Sequence, residues 1–212
     1  MKPKLLVFAS GTKDGGGSGF QKLVEASRSG ILGADIVAVV SNHEHGGVRR
    51  RADSLGIPFV HSPKGRTADD YRRIARETAA DFVALSGWLG FVEGLDPRVT
   101  FNIHPALLPS PFGGRGYHGH HVHEAVIAAY KRGEISHTGV TMHFATDRYG
   151  DGEAIFFRRR VEIAPDDTPD TIAKKVNEVE HRWQAIITDR VVQGEISWDG
   201  KDSATIKGID IE

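Results

Sequence analysis

An amide and an imidazole stand two positions apart in the segment TFNIH, which the proline-rich run PALLPSPFGG follows. Side chains alternate between the faces of a strand, so Asn102 and His104 would share one face, and Phe101 and Ile103 the other. Open α/β sheets bind ligands at the carboxyl ends of their parallel strands. The pair is therefore predicted to contact a ligand, with the stiff proline loop as a wall. The alternative is that Asn102 caps a turn and His104 is a structural histidine.

The segment SGTKDGGGSGF, residues 10–20, is rich in glycine and precedes a predicted helix. Glycines let backbone N–H groups converge on an anion, and a helix N-terminus favours negative charge, so the segment predicts a phosphate site. It lacks the Lys-Ser/Thr pair of a P-loop and the third glycine of the dinucleotide fingerprint, which disfavours both nucleotide-binding classes. The alternative is a flexible connection.

Four histidines lie in the segment GYHGHHVHEA, namely His118, His120, His121 and His123. Catalytic zinc sites take ligands from several segments or use the pattern H-E-x-x-H on a helix, and this segment has neither spacing. We therefore expect no metal here and predict that the histidines belong to a loop and helix cap beside the pocket.

Short apolar runs alternate with amphipathic segments, a rhythm typical of βαβ units. Strands are predicted at 4–10, 35–41, 58–62, 81–87, 100–104, 139–146 and 154–163. Helices are predicted at 20–30, 47–56, 68–80, 121–133 and 168–194, the last with Thr168 as N-cap and Pro169 as its first residue. The pattern predicts one α/β domain over residues 1–200. Its open, mostly parallel twisted sheet has helices on both faces and an antiparallel extension in the C-terminal half. The polar tail, 201–212, either frays or adds an edge strand.

Composition limits the class of partner. The 27 Lys and Arg residues balance 28 Asp and Glu residues, which gives no reason to expect nucleic acid or an anionic membrane as a partner. The chain has no cysteine, which excludes thiolate sites and fits a cytoplasmic location. The apolar run LLVFA is too short for a signal peptide or a membrane span. We expect small-molecule ligands and a monomer or homodimer.

Four segments of the chain resemble the folate-dependent formyltransferases, in the same order and at similar spacing: NIHPALLP, GGRGYHGHHVHEAVIAA, HTGVTMHFATDRYGDGEAIFF and DTPDTIAKKVNEVEH. The similarity covers roughly residues 4–195 and is greatest to members that act on glycinamide ribonucleotide. It implies a Rossmann-like fold with a phosphate-binding half over 1–100 and a catalytic and folate-binding half over 101–200. The implied reaction transfers a formyl group from 10-formyltetrahydrofolate to the primary amine of glycinamide ribonucleotide, in purine biosynthesis.

The resemblance also implies catalytic roles. Asn102 and His104 would stabilise negative charge on the formyl oxygen, and His104 would assist proton movement from the amine. A gapless match puts Gly150 where the family carries its catalytic aspartate. We predict that Asp151, one residue later, supplies that carboxylate, with Asp147 in reserve. The carboxylate would raise the pKa of the histidine.

Binding residues follow from the same resemblance. Gly17, Ser18 and Gly19 would hold the substrate phosphate, at a place where relatives read Gly-Ser-Asn. Glu180 would contact the ribose or amine end of the substrate. Gly90 stands where many relatives carry a basic residue. The segment LSGWLGFV is expected to bind the pterin of the folate through Trp88, Leu89, Gly90 and Val92.

Two other classes of function stay open at this point. The same site could hydrolyse the formyl-folate with water or formylate a different amine, although a phosphate loop argues against a hydrolase. The chain could also be a non-catalytic folate- or nucleotide-binding module, if the glycine at position 150 has removed the carboxylate.

Overall fold

The computed structural model of the chain describes residues 1–63, 66–109, 111–113, 119–146 and 154–212. Within them, the strands are β1 (Lys4–Phe8), β2 (Asp35–Ser41), β3 (Phe59–His61), β4 (Phe82–Ser86), β5 (Thr100–His104), β6 (His137–Phe144), β7 (Ile155–Glu162) and β8 (Asp210–Ile211). The helices are α1 (Ser18–Ser29), α2 (Gly47–Leu55), α3 (Ala68–Glu77), α4 (His120–Lys131) and α5 (Pro169–Val192), with a 3-10 turn at Ser203–Thr205.

The strands form one sheet in the order β3-β2-β1-β4-β5-β6-β7-β8. The first five run parallel, β6 is antiparallel to both β5 and β7, and β8 is parallel to β7. The predicted fold class, a mostly parallel open sheet with an antiparallel extension, is therefore confirmed. In the tail, the short strand β8 joins the sheet edge, and Asp210 forms ion pairs with Arg159 (2.6 Å) and Arg190 (3.0 Å).

Helices cover both faces of the sheet because the inner strands are apolar on both sides. Leu5 and Val7 of β1 pack into a core shared with α1, α2, α4 and α5. The alternate residues, Leu6 and Phe8, pack into a second core with α3. All four side chains are fully buried, as expected for a strand in the middle of a parallel sheet.

Local sequence fixes the helix ends. Thr168 caps α5 and Pro169 is its first residue, both as predicted. Helix α1 begins at Ser18, two residues before the predicted start. The reason is that Gly17 adopts a left-handed conformation (φ 78°) and its carbonyl already accepts the bond from the amide of Gln21.

The order of the strands reverses at β1, which lies between β2 and β4. Two loops diverge at this switch point, one leading into α1 and the other following β4. Crevices outside the carboxyl ends of such strands are the usual ligand sites of open α/β sheets. The same end of the sheet carries Asn102 and His104, on the neighbouring strand β5.

Candidate functional site

A cavity of about 520 Å³ opens at the carboxyl ends of β1, β4 and β5. It is lined by residues from 10–16, 87–89, 102–105, the start of α4 and the first half of α5. The loops after β1 and β4 are tied together, because Ser10 accepts a hydrogen bond from the amide of Leu89 (2.9 Å) and donates its own amide to Gly87 (3.1 Å). The floor of the cavity is therefore built from adjacent strand ends.

Asn102 is buried at this floor, and its amide is oriented by His143 of β6. The two residues are register partners across β5 and β6. The Nδ2 of Asn102 donates to the Nε2 of His143 at 3.1 Å, while the Nδ1 of His143 donates to the carbonyl of Phe144 at 3.0 Å. Burial lowers the pKa of His143 to about 4, so the ring is neutral and accepts this bond. An amide nitrogen carries two N–H groups, which leaves one for the cavity.

His104 is held from the proline loop. Its Nε2 donates to the carbonyl of Phe112 at 2.8 Å, so Nδ1 is the ring nitrogen left for other partners. Burial lowers the pKa of His104, and the neutral ring therefore carries a lone pair on Nδ1 at neutral pH. The expected imidazolium needs a neighbouring carboxylate. The residue predicted to supply it, Asp151, and its reserve, Asp147, both lie outside the described residues.

The proline loop that carries Phe112 is anchored to the antiparallel part of the sheet. The hydroxyl of Thr141 donates to the carbonyl of Ala106 at 2.8 Å and accepts from the amide of Leu108 at 3.0 Å. Arg158 donates to the carbonyl of Leu108 at 3.0 Å. These bonds fix the loop that orients the imidazole of His104.

Glu180 lines the cavity from α5. Burial raises the pKa of its carboxyl to about 7, and Asn177 donates one long hydrogen bond of 3.4 Å to it. A carboxylate with so little support inside a cavity is typical of a binding or catalytic site rather than of a structural ion pair.

The glycine-rich segment folds into a tight turn over the cavity. Gly11 and Gly16 form an isolated bridge, and the amide of Gly11 donates to Asn42 at 3.0 Å. Gly16 has a φ of 95°, and a Cβ there would lie 2.7 Å from the carbonyl of Ser10. Only glycine suits this conformation, which presents backbone next to the N-terminus of α1.

The departure from the family pattern at Gly19 has a structural reason. A Cβ at this position would collide with the Oγ of Ser86 and lie 2.8 Å from the Oε1 of Gln184. Gln184 of α5 is 3% exposed and thus places an amide group next to the first turn of α1. The chain has no side chain at position 19, but the amide group of Gln184 from α5 lies close to that position.

The segment predicted to bind the pterin lies across two cavities. Trp88 and Leu89 line both of them, whereas Gly90 lines only the second, a neighbouring cavity of about 740 Å³ that Arg66 also lines. The guanidinium of Arg66 lies 4.3 Å from the centre of the Trp88 ring. Leu89 is 49% exposed, an apolar side chain at the cavity mouth, while Val92 is buried in the core.

The structure thus brings part of the predicted site together. Asn102, His104, Trp88, Leu89 and Glu180 line one cavity. Gly17 and Ser18 lie at the N-terminus of α1 beside it, and Gly16 reaches its lining. Sequence reasoning missed the orienting contact of His143. It placed His123 in a loop and helix cap beside the pocket, whereas the structure puts this residue in the cavity lining.

Of the predicted histidine cluster, His118 lies outside the described residues, and the two exposed members pair with carboxylates. His121 contacts Glu124 at 3.0 Å, and His120 lies 3.7 Å from Asp170. Among the described residues, no group of three or more His, Asp or Glu side chains is placed to hold a metal ion. In the same part of the chain, none of the helices is both long and apolar enough to span a membrane.

Comparison with known proteins gives consistent matches. A family model described as formyl transferase matches residues 3–188. The chain is 35% identical over 207 residues to a chloroplastic phosphoribosylglycinamide formyltransferase of Vigna unguiculata and 34% identical over 208 residues to that of Arabidopsis thaliana. It covers 63% and 68% of those proteins, which in turn match 93% of this chain. The crystal structure of glycinamide ribonucleotide transformylase 1 from Symbiobacterium toebii superposes with a TM-score of 0.79 at 25% identity, covering 94% of this chain and 92% of that one.

Proposed function

The chain belongs to the formyl transferase family, and we propose that it transfers a formyl group from 10-formyltetrahydrofolate to the primary amine of glycinamide ribonucleotide. The observation that carries the proposal is the oriented pair of Asn102 and His104 at the floor of one cavity. The plant relatives carry this activity in their names, and the chain spans about two thirds of their length.

The pair can support attack of an amine on a formyl carbon. As the new C–N bond forms, negative charge grows on the formyl oxygen, and the free N–H of Asn102 can stabilise it. The attacking amine must lose a proton, which the Nδ1 of neutral His104 can accept and return to the folate nitrogen as the old C–N bond breaks. A carboxylate from Asp151 would instead favour the charged ring as a second donor to the oxygen.

The acceptor side of the cavity suits a phosphorylated amine. Backbone amides of the first turn of α1, at Ser18 and Gly19, have no partner within the helix, and the helix N-terminus favours an anion. Glu180 lines the same cavity, which supports a contact with the ribose or the amine end of the same molecule. These residues support a phosphorylated acceptor over water, which needs no phosphate site.

The donor side suits a flat, largely apolar ring. Trp88 and Leu89 supply apolar surface at the cavity mouth, and the neighbouring cavity beside Gly90 leaves room for a longer tail. Asn102 lines the same cavity as the residues of both sides, which supports transfer of the formyl group beside its amide.

The test mixes the protein with 10-formyltetrahydrofolate, with and without glycinamide ribonucleotide, and follows loss of the formyl group. Loss that depends on the acceptor supports the proposal. Loss without acceptor would show a hydrolase, and tight binding without turnover would show a non-catalytic module. A second amine, such as glycinamide alone, tests whether the phosphate is needed.

Location and assembly stay predictions. The lack of cysteine is what supports a cytoplasmic location. A monomer or homodimer is expected, and sedimentation at micromolar concentration distinguishes the two.

A further inference from the structure

His123 of α4 is a cavity residue that the mechanism above does not use. Its side chain lines the cavity but is only 7% exposed. Its Nδ1 is fully enclosed and has no hydrogen-bond partner among the described residues. Of the enclosed side-chain atoms that lack a partner there, this is the one that belongs to the lining of this cavity. Such a group in a native structure calls for an explanation, and a bound ligand is one.

Three histidines around the cavity differ in how their rings are fixed. His104 donates from Nε2 to a carbonyl, and His143 donates from Nδ1 to another, so each tautomer is set by the protein. His123 has no such anchor. Because the Nδ1 of His123 is enclosed, Nε2 is the ring nitrogen that a molecule in the cavity can reach. The bound molecule can then determine whether Nε2 donates or accepts a hydrogen bond.

The surroundings of His123 indicate which molecule this is. Burial, together with nearby His120 and His104, lowers the pKa of His123 to about 4, so the ring is neutral at physiological pH. Helix α4 packs on α5, whose Asn177 and Glu180 line the same cavity. We call His123, Asn177 and Glu180 the helix wall. It offers neutral or singly charged hydrogen-bonding groups, which suit a hydroxyl-rich or amide-bearing ligand. The apolar side chains that suit a ring system lie after β4 instead.

We propose that the Nε2 of His123 forms a hydrogen bond with a hydroxyl or amide group of the formyl acceptor. The inference rests on the proposed function and extends it to a binding residue of the acceptor side. It assigns His123 a role in binding rather than in the chemical step.

Two substitutions of His123 distinguish the roles of its two ring nitrogens. Glutamine places a polar group near the position of Nε2, and asparagine places one near the position of Nδ1. Steady-state kinetics should give an acceptor KM about tenfold higher in His123→Asn and His123→Leu, the loss of about one hydrogen bond. In His123→Gln it should stay within about threefold of the unchanged protein. The KM for 10-formyltetrahydrofolate and kcat should change little in all three. The matched control is His121→Leu, at an exposed position of the same helix outside the cavity.

Three results would overturn the inference: an unchanged acceptor KM in His123→Asn, an equal rise in the glutamine and asparagine variants, or a rise in the KM for the formyl donor. Calorimetric titration with glycinamide ribonucleotide alone keeps the test independent of turnover. If the unchanged protein binds this acceptor but transfers no formyl group, the proposed function fails while the contact of His123 is still measured. Melting temperatures show whether each variant is folded.

Discussion

The cavity has two walls that are built differently. We call Asn102 and His104, with His143 behind them, the strand wall. Its imidazoles are anchored to main-chain carbonyls and its amide to a ring nitrogen, with distances of 2.8–3.1 Å. On the helix wall, His123 has a ring nitrogen without a partner among the described residues, and Glu180 receives one bond of 3.4 Å.

The difference suggests a division of work. Groups that stabilise a developing charge act best when they need no reorganisation during the reaction, and the strand wall is fixed in this way. Groups that bind a polar ligand contribute most binding free energy if they have few or no hydrogen-bond partners in the protein before the ligand binds, and the helix wall is built in this way. Variants of the strand wall should therefore lower kcat, and variants of the helix wall should raise the acceptor KM or change the stability of the free protein.

The largest effect is expected for His104→Ala. Removing this proposed acid–base group should lower kcat by about 10³-fold, within the range that such groups contribute. Circular dichroism and thermal melting should show a folded protein, since the residue lies at the end of β5. Turnover within tenfold of the unchanged protein would contradict a catalytic strand wall.

Asp151→Asn should cost the next largest amount, about 100-fold in kcat, if this residue supplies the family carboxylate. Asp147→Asn is the control from the same segment and should cost much less. The two kcat values, measured with both substrates saturating, decide the assignment. The reverse order would move the role to position 147.

His143→Phe tests whether orientation of the amide matters. The ring volume is kept, but Asn102 loses the acceptor for its N–H, so kcat should fall about tenfold with little change in either KM. His143→Gln restores an acceptor oxygen and should recover much of the loss. Equal losses in both variants, together with a lower melting temperature, would indicate a purely structural histidine.

The residues themselves indicated Asn102 and His104 of the strand wall, whereas Glu180 of the helix wall was expected only from the family resemblance. The two-residue period of a strand and the prolines after it identify Asn102 and His104 as neighbours on one face. The register that sets His143 opposite Asn102 depends on how β5 and β6 pair, which local sequence does not determine. The proximity of Gly19 and Gln184 likewise depends on tertiary packing, because these residues lie far apart in the sequence.

A usable signal for the helix wall did exist in α5. Ile172, Val176, Gln184 and Thr188 are buried at a spacing of four residues, and Glu180 falls in the same row. Helical periodicity therefore places a carboxylate where a buried side chain is expected. Carboxylates seldom occupy such rows without a function, so the row itself predicts a perturbed group.

The variant Glu180→Gln should show how much the carboxylate of Glu180 lowers the free energy of unfolding. Because the pKa of Glu180 is raised to about 7, the protein carries an unfavourable buried charge above that pH, and glutamine removes it. The penalty is absent below the ordinary value of 4.5, grows between the two values and is complete above pH 7. Urea unfolding should therefore give the variant a larger free energy of unfolding at pH 8, by on the order of 2 kcal/mol, and no advantage near pH 4.5.

The same substitution should weaken binding of the acceptor while it stabilises the free protein. At pH 8 the acceptor KM should rise about tenfold, since a charged hydrogen-bond acceptor is lost. In the unchanged protein this KM should rise toward the variant's value as the pH falls below 7. Glu178→Gln removes an exposed charge from the same helix and should change neither quantity. A less stable Glu180→Gln protein at pH 8 would mean that Glu180 is satisfied in the free protein, and the contrast between the two walls would then rest on His123 alone.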